Sequence, residues 1–388
     1  MRASFAIPLF VLAPAALTPA FAEVPSGETN GSGRPPALEF TLGDVSLQLS
    51  GRAQLQAALW VGDDARLSNG QAAEEIGFRL RRARFGVGIE FKGLEVVAET
   101  DLLESEGTAL HEAFVGWSGT WGSYGFHTAA GLVKAPMSRT AGLSSESVQQ
   151  AEKSIVTRSL APEQQLGLTV QGDFWDERIR LEAGVFNGME RGTTFASGWA
   201  RIDPKVGNRF GGWAVSARLD VEPLPNGSLL GDGVADLGKR DKPAFGFGGG
   251  FLYNDGGSIT STAWSADLAF KGWGVGFLAE FIELTTAPQD EPTAGASLGA
   301  LEITSRGMTG QLGYTVIKDH LELSVRVDWF DRETRLDNEG DFIGIGGAVS
   351  GYLFDGRLKL QLDYEHRNEQ HGSVLENDVF MAQAEGRF

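Results

Sequence analysis

The sequence predicts a transmembrane antiparallel β-barrel of about sixteen strands, and three observations predict it. Apolar and polar residues alternate with a period of two through most of the chain, as in strands with one apolar and one polar face. No uninterrupted apolar stretch after residue 22 reaches the ~18 residues that a membrane-spanning helix needs. The last segment alternates to its end: Phe380, Ala382, Ala384, Gly386 and Phe388 on one face, Met381, Gln383, Glu385 and Arg387 on the other. Lipid cannot hydrogen-bond an open sheet edge, so a strand protein that enters a membrane must close into a barrel.

The elements follow in order. Residues 1–22 read as a signal peptide: Arg2, a short apolar run from Phe5 to Leu17 broken by Pro8 and Pro14, and a small-x-small site at Ala20-Phe21-Ala22. Residues 23–44 read as a flexible periplasmic lead-in, polar and rich in Gly, Pro and Glu. Residues 45–388 read as the barrel domain. In its first strand Val45, Leu47, Leu49, Ala53, Leu55, Ala57 and Leu59 alternate with Ser46, Gln48, Ser50, Arg52, Gln54 and Gln56. In the second, about 78–91, Ala83, Phe85, Val87, Ile89 and Phe91 oppose Arg82, Arg84, Gly86, Gly88 and Glu90. Further strands are expected over 94–102, 110–118, 125–134, 165–174, 178–187, 209–221, 244–254, 261–271, 274–284, 306–316, 320–330, 341–353, 357–366 and 378–388.

Short links alternate with longer polar ones, the longest being 135–164, 187–208 and 285–305. Periplasmic turns and extracellular loops alternate in this way in outer-membrane barrels. The exception is 222–243, a long link where a turn is due. Trp121, Trp175 and Trp273 fall at expected turns, Trp60 and Trp329 at expected outer ends, as two interfacial aromatic girdles require.

The formal charge is −18, or −19 once Arg2 is removed with the signal, which argues against a nucleic-acid partner. There is no cysteine, and Gly accounts for 53 of 388 residues, about twice the average usage. Enzyme chemistry has little foothold: there is no H-E-x-x-H. The five histidines, His111, His127, His320, His366 and His371, are scattered. No cofactor or metal is implied. Gly274–Ala279 formally matches a dinucleotide fingerprint but lies within a strand pattern and opens no helix.

What stands out is charge on the inward faces. By parity Arg52, Arg82, Arg84, Arg180, Arg218, Arg326, Lys359 and Arg387 point into the lumen. Glu95, Glu99, Asp101, Glu112, Glu182, Asp220, Glu280, Glu322, Asp328, Asp363 and Glu385 do the same. On the lipid face a charge costs up to roughly 2–4 kcal/mol near the midplane, which forces them inward. Most can pair across strands; rows of charge can also set ion selectivity.

Short motifs in order carry a family resemblance. They are Phe78–Gly86; Ala130–Met137, similar to G-Q-F-K-x-P-F; Glu152 with Arg158-Ser159-Leu160, similar to E-R-S-L; Gln165–Leu168; Val185–Gly188; Asp267-Leu268; and Glu280-Phe281. Over nearly all of residues 23–388 the chain resembles the phosphate-selective porins O and P, most densely from 78 to 188. The resemblance implies a homotrimer of sixteen-stranded channels in a Gram-negative outer membrane. It also implies a third extracellular loop, here about 135–164, folded into the lumen. Cations would guide phosphate to the narrowing: Arg82 and Arg84, with Lys134, Arg139, Lys153 and Arg158, and along the wall Arg52, Arg180, Arg218 and Arg326. Their role is to attract the ion and partly replace its water. The departure is that lumen acids outnumber lumen bases. The expected function is passive diffusion of small hydrophilic solutes, anions such as phosphate foremost, with small inorganic ions as permeants and outer-membrane lipid as surroundings. The alternatives are a general or cation-leaning porin, or a barrel-anchored enzyme or adhesin.

Overall fold

A computed structural model describes residues 38–62, 76–103, 109–190, 199, 212–224, 233–257, 259–289, 302–337, 340–372 and 377–388. Its strands, in chain order, are β1 (Leu38–Leu42), β2 (Val45–Val61), β3 (Gly77–Phe91), β4 (Leu94–Asp101), β5 (Ala109–Trp121), β6 (Tyr124–Lys134), β7 (Gln164–Phe174), β8 (Ile179–Asn187) and β9 (Trp213–Val221). They continue as β10 (Ala244–Asp255), β11 (Ile259–Gly272), β12 (Val275–Pro288), β13 (Ile303–Ile317), β14 (Leu321–Asp331), β15 (Phe342–Leu353), β16 (Leu358–Glu369) and β17 (Val379–Arg387). Consecutive strands from β2 to β17 pair antiparallel, and β17 pairs back onto β2. Sixteen strands therefore close into a ring, one for each alternating segment of the sequence. Residues 209–211 of the expected 209–221 strand lie outside the described residues.

The signal segment 1–22 and lead-in residues 23–37 also lie outside them. Lead-in residues 38–42 are not a loose leader: they form β1, which folds back on β2 from Leu42↔Val45 to Leu38↔Leu49. β17 covers the rest of the same β2 edge, from Arg387↔Arg52 to Val379↔Val61. β2 is 17 residues long and β17 only 9, so β1 satisfies backbone groups that β17 leaves open. Phe388 seals the junction, exchanging backbone hydrogen bonds with Gly51 at 3.0 Å in both directions.

Tight turns gather at one end of the ring. Lys92 and Gly93 (φ 50° and 83°) and Trp273 and Gly274 (φ 56° and 82°) make two-residue hairpins, whose central residues both need positive φ. Trp121, Trp175 and Trp273 are exposed on the outer surface at this end and Trp60 at the other. Leu, Val, Ile and Phe side chains such as Phe85, Leu168, Val325 and Leu360 fill the outer face between them.

One register shift decides what faces inward. Gln54 pairs with Arg82, but Leu55 pairs with Leu80, so Arg81 is the extra residue of a β-bulge. Above the bulge the parity reverses. Phe78 and Leu80 turn outward, and Arg79 comes to the lumen side opposite Gln56.

Two segments fold inside the ring. The first is the link from β6 to β7, with short helices α1 (Arg139–Gly142) and α2 (Ile155–Leu160). Its Met137, Ile155, Val156 and Leu160 bury against inward apolar residues of β10 to β12, among them Leu252, Ala263, Ile282 and Leu284. At ~1.5–3 kcal/mol for each large side chain buried, this contact holds the loop firmly. Inner-face glycines make room for it: a Cβ on Gly250 would lie 1.8 Å from the Met137 carbonyl oxygen.

The second is the β9–β10 link, described over 222–224 and 233–243, the latter part of which also enters the turn end. Asp236 accepts from the backbone N–H of Gly274 at 2.7 Å, and the Leu237 carbonyl accepts from Asp319 N–H at 2.9 Å. Val234 packs with Leu143 of the inward loop, and with Ala244, Ala269 and Leu278. The link is long because it reaches inward to brace the first segment; among its described residues there is no further strand.

Candidate functional site

The inward loop does not lie across the middle of the lumen. It covers one side. Inner-face residues of β10 to β17, such as Thr309, Gln311, Thr315, Glu322, Ser350 and Gln361, are buried beneath it and the brace. On β3 to β8, Arg82, Asp101 and Asp173 are buried, but Arg84, Glu95, Glu99, Glu112, Gln171 and Glu182 stay half-buried. Among the described residues, the water-accessible path therefore follows the β3–β8 wall.

At the level of the loop this path meets a guanidinium cluster. Glu152 is its hub. Its carboxylate is contacted by Arg81 Nε at 2.5 Å, Arg158 Nη1 at 3.2 Å, Arg79 Nη2 at 3.3 Å and Arg82 Nη2 at 3.5 Å. Burial alone would raise this carboxyl's pKa, but Arg81, Arg82 and Arg158 hold it well below the ordinary range. The hub side chain is only 5% exposed, whereas Arg79 is 29% and Arg158 20% exposed. Four guanidinium groups thus converge on this carboxylate, with Glu163 also near Arg81 and Arg158. Close by, the Lys153 ammonium donates to the Ala141 carbonyl at 3.1 Å and lies 3.3 Å from Glu163. Burial pulls Lys153 down to about 8, against the pull of Glu163.

The residues expected from sequence divide by place. Arg82, Lys153 and Arg158 belong to the cluster or its border, and Lys134 donates to the Gly142 carbonyl at 2.9 Å. Arg84 is on the open wall but is bound to Asp101 at 3.1 Å. Arg180 is bound to Asp173 at 2.6 Å. Arg52 holds Ser145 of the loop at 2.7 Å, with Glu146 at 3.7 Å. The remaining three are enclosed by carboxylates on the covered side. Arg139 binds Asp267 at 2.5 Å and Asp220 at 2.8 Å. Arg218 binds the same two acids at 2.6 Å. Arg326 binds Asp328 at 2.9 Å and donates to the Glu152 carbonyl at 2.7 Å, which positions the hub.

Sequence reasoning missed Arg79 and Arg81, because strict parity sends them to the lipid. The signal was present: outward residues fall at even positions at Phe78 and Leu80 and at odd positions from Ala83 to Phe91. A change of phase within one strand is the mark of a bulge.

No family model matches the chain, and no curated protein matches it by sequence. Solved structures do. An anion-selective porin from Comamonas acidovorans superposes with a TM-score of 0.58 at 11% identity, covering 89% of this chain and 100% of that one. The Salmonella typhi OmpF complex with daunomycin gives 0.57 at 12% identity, covering 90% and 100%. The outer-membrane channel DcaP of Acinetobacter baumannii gives 0.53 at 11%, covering 90% and 99%. The chain has the porin fold. A closed barrel of this fold, with an apolar outer face between aromatic ends, is the build of a Gram-negative outer-membrane protein.

Proposed function

We propose that the protein is an outer-membrane diffusion channel for small hydrophilic solutes, and that anions are drawn through it by the arginines around Glu152. The observation that carries this is the gathering of guanidinium groups at the hub. Arg79, Arg81, Arg82 and Arg158 share one carboxylate beside the narrowed path. Guanidinium forks suit oxyanions, which they bind in bidentate fashion. Phosphate is therefore the first permeant to test, in keeping with the resemblance to the phosphate-selective porins, which also underlies a homotrimer. The architecture supports passage rather than catalysis: the candidate residues bind one another and the loop in the pattern of a wall.

The test is single-channel current in potassium chloride with inorganic phosphate added in steps. Phosphate should reduce the chloride current at sub-saturating concentrations, and Arg79→Gln/Arg81→Gln should remove most of that block. Equal currents with and without phosphate would defeat the oxyanion reading.

A second reading, a cation-leaning porin, is favoured by Glu95, Glu99, Glu112 and Glu182 on the open wall. In that case potassium, not chloride, would carry most of the current.

A further inference from the structure

Beside the inward loop, accessible acids and accessible bases stand side by side. Glu163 closes the root of the loop: its backbone carbonyl accepts from Ala135 N–H at 3.1 Å, and the next residue opens β7. Its carboxylate lies 3.3 Å from the Lys153 ammonium, and 44% of its side chain is exposed. The Lys153 charge, helped by Arg158 and Arg82, outweighs burial and holds this carboxyl at about 2, so it is ionised at neutral pH. Glu163 is close enough to Arg81 and Arg158 for its charge to act on both guanidinium groups. Arg79 spends Nε on Gln56 at 2.8 Å and Nη2 on Glu152 at 3.3 Å, and still has 29% of its side chain exposed.

The mixture continues along the wall. Gln164 meets His111 at 3.1 Å, and His111 meets Arg84 at 2.7 Å. Glu99, 29% exposed, lies 3.7 Å from the same ring. Carboxylates and guanidinium groups are therefore interleaved here.

An anion at this level gains from the guanidinium groups and is opposed by Glu163. A simple cation gains from Glu163 and is opposed by the guanidinium groups. A solute with an ammonium and a carboxylate a few bonds apart gains from both and has no net charge to be repelled. A guanidinium fork takes a carboxylate through two parallel N–H···O bonds, and a carboxylate takes an ammonium through charge-assisted hydrogen bonds. Those two groups are the ends of an amino acid or a short peptide.

We propose that Glu163 and the arginines beside the loop form a zwitterion subsite. Amino acids and short peptides bind there in passing, ammonium on Glu163 and carboxylate on Arg79 and Arg81. This rests on the channel reading above and adds a class of permeant to the same path.

The test is single-channel current through the full-length protein in symmetric potassium chloride at neutral pH, with one probe at a time. Glycylglycine carries both charges, N-acetylglycine only the carboxylate and glycinamide only the ammonium. Glycylglycine should reduce the current at lower concentration than either single-charge probe. Glu163→Gln should weaken the glycylglycine block roughly tenfold, the effect of losing a hydrogen bond to a charged group. The same variant should strengthen the block by inorganic phosphate, because a repelling charge is gone. Loss of both blocks together would mean that Glu163 only holds the loop, and overturns the subsite. The ranking of the three probes on the natural protein tests the proposal even if the variant does not fold. Equal block by glycylglycine and N-acetylglycine, or block by neither, overturns the subsite; if phosphate still blocks, the channel reading stands. A barrel that passes no current overturns both.

Discussion

Four guanidinium groups around one carboxylate make Glu152 the residue whose removal should have the largest effect. Glu152→Gln leaves Arg79, Arg81, Arg82 and Arg158 facing one another. Removing one partner of a buried ion pair typically costs about 3–5 kcal/mol. The variant should therefore unfold at lower temperature or denaturant, read by the loss of the compact gel band on heating. Where it does fold, its anion preference should increase. Lys153 gives a pH signature. Its charge is complete below about 8 and is lost as pH rises through that value. Anion preference should fall as the solution is taken from neutral to alkaline, and Lys153→Met should abolish that step in a pH series of reversal potentials. Legibility at this scale was uneven. Arg82 and Arg158 were readable because parity and a loop motif named them. Arg79 and Arg81 were hidden by a one-residue bulge, and the central role of Glu152 depends on contacts between segments more than sixty residues apart.

Strands, turns and the lipid face were readable because each follows a local rule: alternation, turn chemistry and the cost of charge in lipid. Partners inside the barrel follow no such rule. β12 carried the clue that its inner face is covered, since Leu278, Ile282 and Leu284 are inward and apolar. A wet wall does not need them; a loop's seat does. The link at 222–243 broke the short-turn rule because it is a brace. Leu38–Leu42 is hard to tell from a lead-in by sequence, since a five-residue strand leaves only three alternating apolar positions, Leu38, Phe40 and Leu42. The seat can be tested at Gly250, where the loop backbone lies against the wall. Gly250→Val should push the inward loop off β10 at a cost of about 1–3 kcal/mol. Single-channel conductance should then rise, provided that the gel band shows a folded barrel; unchanged conductance in a folded variant would mean that the loop does not narrow the path.

For the whole molecule, an overall charge of −18 says little about what passes through it. Buried acids on the covered side hold arginines and the loop; Asp220, Asp267 and Asp328 are examples. On the function proposed above, selectivity belongs to the accessible groups beside the inward loop, where Arg79, Arg81, Arg82 and Arg158 gather. The most direct measurement is the zero-current potential of the natural protein in a potassium chloride gradient. A value displaced toward the chloride equilibrium potential is expected, and Arg79→Gln/Arg81→Gln should move it back toward zero. A value on the potassium side would contradict the arginine filter and hand control of the path to the acidic wall.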